Sequence, residues 1–325
     1  MKRIASLWTI LPIALAAALH AGGAQAFTDK PVKLIVPAPP GGTIDVFARI
    51  ISDQLAQEIK QPVIVENRPG AGGAIAIKYM LSQPADGQTL LVSVTNVLTE
   101  VPHVLKGGFD AMKDVKPVAQ MARSVMLLIA APQFPAKDAK EAIAYVKAHP
   151  GTVSFASYSQ GTASQYAGAI LNRKAQLDME HVAFPGSAPA LAQVMGSQIP
   201  LMFDGSVTSK PLIPSGKIKL LAVAYKSRLA DYPNVPTMAE LGYPEIDFSN
   251  WAGVFASAQT PRALMEKMGA TLAKVNAMPA VRERYVGTSF ELVSERRTQE
   301  QLEADLRAEF ERNAEIVKTY GIKLN

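Results

Sequence analysis

The chain has 325 residues, 48% of them hydrophobic and 19% charged, enough to bury one or two folded cores and too apolar for disorder. It contains no cysteine, so disulfides, thiol nucleophiles and thiolate metal sites are excluded. The formal charge of +5 comes from scattered Lys and Arg residues, without the clustered basic footprint that nucleic acid requires.

Residues 1–26, MKRIASLWTILPIALAAALHAGGAQA, read as a secretory signal. Lys2 and Arg3 form the positive end, an apolar run follows, and Ala24-Gln25-Ala26 offers a small-residue cleavage site before Phe27. The competing reading is a membrane anchor, for which the alanine-rich run is short. Cleavage after Ala26 leaves 299 residues with a charge of +3, expected to be exported and soluble.

From residue 31, short β-branched runs alternate with longer amphipathic ones. VKLIVP (32–37) predicts a buried strand and IDVFARIISDQLAQEI (44–59) a helix. PVIVENRPG (62–70) predicts a strand and turn, AIAIKYMLSQ (74–83) a helix, and QTLLVSV (88–94) a strand. This βαβαβ order implies a parallel sheet with helices on its faces. The middle repeats the plan, with helices over 136–151, 162–175 and 187–197 and strands over 153–157, 180–184, 199–204 and 218–225. The pattern leaves two units and one continuous sheet both open. SVMLLIAAP (124–132) and FSNWAGVFASAQTP (248–261) look like crossovers between units. That division puts 27–123 plus 254–325 in a first domain and 124–253 in a second. A charged helix from about Thr298 to Lys318 carries Leu302, Leu306, Phe310 and Ile316 on one stripe. It is expected to clasp the first unit, with its charges as a solvated face.

Two turns have the makings of a binding site. In VPAPPGGTIDVFAR (36–49), Pro37, Pro39 and Pro40 stiffen the loop. Gly41 and Gly42 then leave backbone N–H groups bare before a helix that begins near Thr43. Unpaired N–H groups and the helix dipole together attract an anion, and the turn lies at the carboxyl end of a parallel strand, where open α/β sheets bind ligands. The plainer reading is a tight, well-capped turn. Under either, Asp45 is a first-turn carboxylate favouring the dipole. In FASYSQGTASQYAG (155–168), Gly161 precedes a helix start at Thr162. There Thr162, Ser164 and the N–H groups of residues 161–164, Ala163 included, offer a second carboxylate site or an ordinary Ser/Thr cap. Asp204, ending IPLMFD, either accepts a hydrogen bond from a ligand or caps the helix after it. Thr95 and Asn96 sit on a similar rim, where plain turn residues are also common.

Other motifs are thin. NRPGAGGA (67–74) lacks G-x-G-x-x-G spacing and does not follow the first strand, so no nucleotide site is expected. There is no G-x-S-x-G, H-E-x-x-H or Walker loop. The histidines, His20, His103, His149 and His181, show no ligand spacing. No cofactor and no metal are expected, and no nucleophile–base pair is evident.

Taken in order, VPAPPGGTIDVFARIIS, VIVENRPGAGGA, ADGQTLL, FPGSAPALAQVMGSQIPLMFD, VPTMAELGYP and WAGVFASAQTP resemble the extracytoplasmic substrate-binding proteins of the tripartite tricarboxylate transporter family, the TctC or Bug receptors. The resemblance spans essentially the whole chain after residue 26. It implies an α/β fold of the type II periplasmic-binding-protein kind, two α/β domains joined by two crossover strands around a ligand cleft. The family's first loop, P-F-x-P-G-G-x-x-D, matches Pro37 through Asp45 and implies a ligand carboxylate held by backbone groups and bound waters. The second turn, S-S-G-x-G-S-x-x-H, matches Ser157 through Gln165 and implies a carboxylate held directly. Asp204 matches an Asp that contacts polar groups away from the carboxylates.

The departures are Ala38 for the first-loop aromatic, Ser159 for a glycine, Gln165 for the histidine, Phe184-Pro185 for Tyr-Lys, and Ala74 for an asparagine. They point away from a highly anionic ligand such as citrate and towards a mono- or dicarboxylate, an aromatic acid or an amino acid. The implied partners are the membrane permease subunits of a tripartite transporter or a sensor kinase, with the receptor itself a monomer. The rival readings are an exported enzyme acting on a small organic acid in the same cleft, and a structural envelope protein.

Overall fold

The computed structural model describes residues 30–322 except 124, 249, 289, 294 and 295; the signal read at 1–26 lies outside the described residues. Buried β-branched runs become inner strands of two separate sheets, so one continuous sheet is not what forms. The first unit opens β1 (Val32–Val36), α1 (Thr43–Ile59), β2 (Val63–Asn67), α2 (Ala74–Leu81), β3 (Thr89–Val94). β1 pairs in parallel with both β2 and β3, and Leu34 stands in register with Val65 and Leu90. A short helix α3 (Asn96–Thr99), a 3-10 turn over Val101–His103 and α4 (Ala111–Asp114) lead to β4 (Val115–Arg123).

β4 has no counterpart in the sequence expectations, and its third residue, Pro117, weakens the strand pattern there. The fold accommodates it near an edge. β4 pairs with the later strand β10 (Trp251–Ser257), whose register shifts beside Pro117, while β11 (Glu291–Leu292) covers its outer side only at Ala122 and Arg123.

The second unit comprises β5 (Met126–Ala130), α5 (Ala139–Ala148), β6 (Val153–Ser157), α6 (Ala163–Lys174), β7 (Met179–Ala183), α7 (Ser187–Met195), β8 (Leu201–Gly205), α8 (Ser206–Ser209) and β9 (Lys219–Ala224). Its strand order is β7-β6-β8-β5-β9, and that of the first unit is β11-β4-β10-β3-β1-β2. The expected parallel sheets are in fact mixed: β5 runs antiparallel to β8 and β9, and β10 antiparallel to β3 and β4. β5 and β10 are the two crossover strands. Every residue in each is buried, which explains why neither shows period-2 alternation. The two passages run side by side, since Trp251 pairs with Arg123. β10 lies wholly in the first sheet, so the boundary expected after residue 253 falls inside a strand.

The chain ends in α9 (Arg262–Ala277), α10 (Pro279–Thr288) and α11 (Gln299–Tyr320). α11 starts with a capping box in which Thr298 and Gln301 bond each other's backbone N–H. At 22 residues it is about 33 Å long, enough to reach both units. Leu302 and Leu306 enter the core of the first unit, whereas Ile316, Val317 and Tyr320 pack on the second. Arg312 donates to Asp247 O at 2.6 Å, and Arg173 of α6 donates to Thr319 O at 2.6 Å. The expected clasp on one unit is therefore a brace across two.

Leu306→Ala, which empties a fully enclosed position, is expected to lower the unfolding free energy by about 2–5 kcal/mol in chemical denaturation. A loss under about 1 kcal/mol would mean that α11 is not anchored there.

Candidate functional site

A cavity of about 460 Å³ lies between the units, walled by the first loop, the second turn and the segment after β3. Its apolar wall includes Val94, Val97, Leu105, Met126, Phe184 and Phe248, and its polar side chains include Thr43, Asn96, Tyr158, Gln160, Thr162 and Asn250. None of the described residues lining it is Lys, Arg or His. Any anion held here must therefore be neutralised by backbone N–H groups and neutral side chains.

The first loop is pinned from beneath. Gly41 adopts φ +79°, a conformation open to glycine, and its N–H donates to Asp45 Oδ2 at 2.9 Å. Gly42 N–H donates to Pro39 O at 3.2 Å. The two amides expected to be bare are thus occupied inside the loop. Gly42 is the N-cap of α1, and the next amides, of Thr43 and Ile44, have no intrahelical acceptor. Both residues line the cavity. Ala38 and Gly42 also line it, whereas Pro40 and Gly41 are exposed on the outer side of the turn.

Asp45 does more than favour the dipole. It is 2% exposed and accepts from Gly41 N–H, Arg49 Nε (3.0 Å) and Asn67 Nδ2 (2.9 Å), while Asn67 also donates to Ala38 O. Burial opposes its charge, but Arg49, the Gly41 amide and Asn67 outweigh burial and hold the carboxyl below its ordinary value. Asn67 and Arg49 were missed in sequence; the i, i+4 spacing of Asp45 and Arg49 was the available signal.

The second turn repeats this device. Gly161 has φ +72°, and a Cβ there would come within 2.3 Å of Val104 Cγ2, so glycine permits the turn to pack on the first unit. Its N–H donates to Gln165 Oε1 at 2.6 Å, four residues on, as Gly41 does to Asp45. Gln165, expected to face a ligand, is buried as a staple instead. Thr162 is the N-cap of α6 but makes no side-chain cap; its hydroxyl donates to Ser159 O at 2.7 Å. Ser164 Oγ donates to Phe203 O and is turned away from the cavity. Ser159, Thr162 and Phe184 line the cavity; Ser157, Gly161, Ala163, Ser164 and Gln165 do not.

The Ala163 amide, expected to be free for a ligand, is held by Glu100. This carboxyl is fully buried between the short helix α3 and the 3-10 turn that follows it. One oxygen accepts Ala163 N–H and the other accepts Asn250 Nδ2 at 2.9 Å, while Tyr166 OH donates to Glu100 O at 2.8 Å. Burial pushes the Glu100 carboxyl up to about 8, against the pull of Asn250 and the Ala163 amide. Glu100 appears in no sequence expectation. The signal available was one acid in the apolar stretch VLTEVPHVL.

Asp204, expected to look into the cleft, is fully buried below it. It accepts from Ser187 Oγ, Thr208 Oγ1 (2.6 Å) and Ser209 Oγ (2.6 Å). Burial raises its pKa against these three hydroxyls. The Thr208 hydroxyl it holds lies 3.2 Å from Thr43 Oγ1 across the cleft. Asn96 is 4% exposed, lines the cavity, and leaves its Oδ1 without a partner. Thr95 is buried beneath and lies against Glu309 of α11, whose carboxyl burial pushes up to about 7. The charged residues of α11 are accordingly not all a solvated face.

One further expectation needs correction. Ser157 Oγ and His181 Nε2, on adjacent strands β6 and β7, are 2.7 Å apart, a Ser–His pair that spacing alone did not reveal. Ser157 is fully buried and its hydroxyl also contacts Ser159 O at 3.0 Å. Neither residue lines the cavity, and burial lowers His181 to about 4. The pair links two strands and does not present a nucleophile.

Two α/β units, two crossover strands and a cleft walled by two strand-to-helix turns define a two-domain solute-binding fold. The chain belongs to the tripartite tricarboxylate transporter family of receptors, whose family model matches residues 47–322. It is similar to Protein BugT of Bordetella pertussis, with 30% identity over 303 residues, 93% of this chain and 92% of BugT. The solved periplasmic binding protein BugD is 29% identical, with a TM-score of 0.86 over 91% of this chain and 99% of BugD. MatC from Rhodopseudomonas palustris, solved with bound malate, is 30% identical with a TM-score of 0.84 over 89% of this chain and 99% of MatC.

Glu100 makes stability depend on pH. Its carboxyl ionises near 4.5 when unperturbed and near 8 in the fold, so the folded chain keeps a proton that the unfolded chain has lost. Stability is therefore fully present at acid pH and falls as pH rises through 8. Glu309, near 7, acts in the same sense; Arg312 opposes the Glu100 shift, and His181 acts the other way only below about 6.5. Between pH 6.5 and 9 the melting temperature of the wild type is expected to fall more steeply than that of Glu100→Gln. Parallel curves would show that Glu100 is already ionised in the folded protein at neutral pH.

Proposed function

We propose that this chain is a periplasmic receptor for a small organic acid, exported by the signal at 1–26. It delivers its ligand as a monomer to the membrane permease subunits of a tripartite transporter, or to a sensor kinase. The observation that carries this reading is the N-terminus of α1. Thr43 and Ile44, whose amides have no acceptor in the helix, line a cavity that has no cationic side chain among its described lining. A ligand carboxylate docks on those amides, favoured by the dipole of a 17-residue helix, and Asn96 meets a polar atom further along. Closure follows from the ligand touching both units at once, which neither unit provides alone. Family membership and the malate held by MatC support an acid as the ligand class. Binding without turnover is the expected behaviour, because the Ser–His pair is sealed off from the cavity.

Refolded protein, stripped of any carried-over ligand, should show a selective thermal shift with one acid in a panel of carboxylates. A ligand at about a hundred times its Kd adds about 2.7 kcal/mol. Silence across the panel, or consumption of the acid, would overturn the reading.

The α1 site has its own test at position 43. Gly42 is extended, with φ −75° and ψ 164°, the geometry a residue before proline prefers. Proline is also tolerated in the first helical turn. Thr43→Pro therefore removes one amide and leaves α1 intact, while Thr43→Val removes only the hydroxyl. By calorimetry, Thr43→Pro is expected to weaken binding by about 1.5–3 kcal/mol, the value of a hydrogen bond to a charged group, and by more than Thr43→Val. Equal affinities would place the carboxylate elsewhere.

A further inference from the structure

We infer that the Glu100 side chain is a resident carboxyl group filling the anion-binding end of α6, so that the cleft takes an acid with one carboxylate and an uncharged, largely apolar tail. This rests on the carboxylate-receptor reading above. The N-termini of α1 and α6 both border the cavity, and each is suited to an anion by its unpaired first-turn amides. They differ in what already occupies them. At α1 the Thr43 and Ile44 amides have no acceptor in the helix. At α6 the chain supplies its own acceptors.

Ala163 N–H goes to Glu100, and Tyr158 lies against the first turn of the helix at Thr162 and Ser164. Gly161 N–H goes to Gln165, and the Thr162 hydroxyl to Ser159 O. A second ligand carboxylate arriving at this end would find the Ala163 amide already taken and would have to compete with Glu100 for it. It would also stand beside the buried Glu100 carboxyl, where an unpaired ion is costly to desolvate. Asn250 holds the other carboxyl oxygen and Tyr166 pins the Glu100 backbone carbonyl, so the side chain cannot swing away without orphaning Asn250 Nδ2. The space beyond Thr43 is instead lined by Val94, Val97, Leu105, Met126, Phe184 and Phe248, which suit an alkyl or aromatic tail.

Two matched pairs test this: hexanoate against adipate, and benzoate against terephthalate. Each pair differs by one carboxylate on the same carbon skeleton. Wild type is expected to bind the monoacid of at least one pair tenfold or more tightly than its diacid. Glu100→Ala, which frees the Ala163 amide, is expected to gain affinity for that diacid at least tenfold and to narrow the gap. Glu100→Gln keeps an oxygen acceptor on Ala163 and is expected to retain the monoacid preference. If Glu100→Ala fails to fold, the wild-type pair and Glu100→Gln still decide.

Wild type binding a diacid as tightly as its monoacid overturns the inference and leaves the carboxylate-receptor reading standing. So does a Glu100→Ala protein that folds and gains nothing. If no monoacid or diacid binds any of the three proteins, the receptor reading itself fails, and the inference with it.

Discussion

The first amides of an α-helix need acceptors that the helix cannot supply, and how this chain answers that need at α1 and α6 governs the cleft. At α6 an acceptor is built in: Glu100 reaches the Ala163 amide from the other unit. At α1 the loop satisfies only Gly41 and Gly42, through Asp45 and Pro39, and stops short of Thr43 and Ile44. One helix end is closed by the protein and the other is left for a guest. The binding asymmetry follows from that difference, on a scaffold whose two turns are otherwise built alike.

Polar groups around the cavity are held by neighbours rather than left to solvent. Asp45 and Gln165 each fix a glycine amide four residues back, which keeps both turns in one conformation before any ligand arrives. Asp204 gathers Ser187, Thr208 and Ser209 and so aims Thr208 at Thr43 across the cleft. Such preorganisation lowers the ordering that binding would otherwise have to drive. Around this the frame is continuous: the two passages between the units run side by side where Arg123 at the end of β4 pairs with Trp251 at the start of β10, and α11 braces both cores.

The alternation of apolar runs and amphipathic helices made the two-unit α/β plan legible, because burial and period are local properties. The positions of both turns were legible for the same reason, as glycines and small residues directly before a helix. What the side chains do there was not. Gln165 and Asp204 read as cleft-facing, yet each is turned into the protein to satisfy a group that a linear pattern does not show. Glu100 was invisible because its meaning depends on meeting Ala163, 63 residues away and in the other unit. Likewise Ser157 and His181 meet only because β6 and β7 pair. In β4 the strand pattern is weakened by Pro117, which a strand beside an edge tolerates and a central one would not.

The most direct measurement is amide NMR of the backbone at residues 43, 44 and 163 during titration with a bound monocarboxylate. The account predicts downfield movement of the Thr43 and Ile44 amide protons as they bond the acid, with Ala163 already bonded to Glu100 and nearly unmoved. A large shift at Ala163 with Thr43 and Ile44 unmoved would contradict it, because the ligand would then be docking at the end that the protein is said to fill itself.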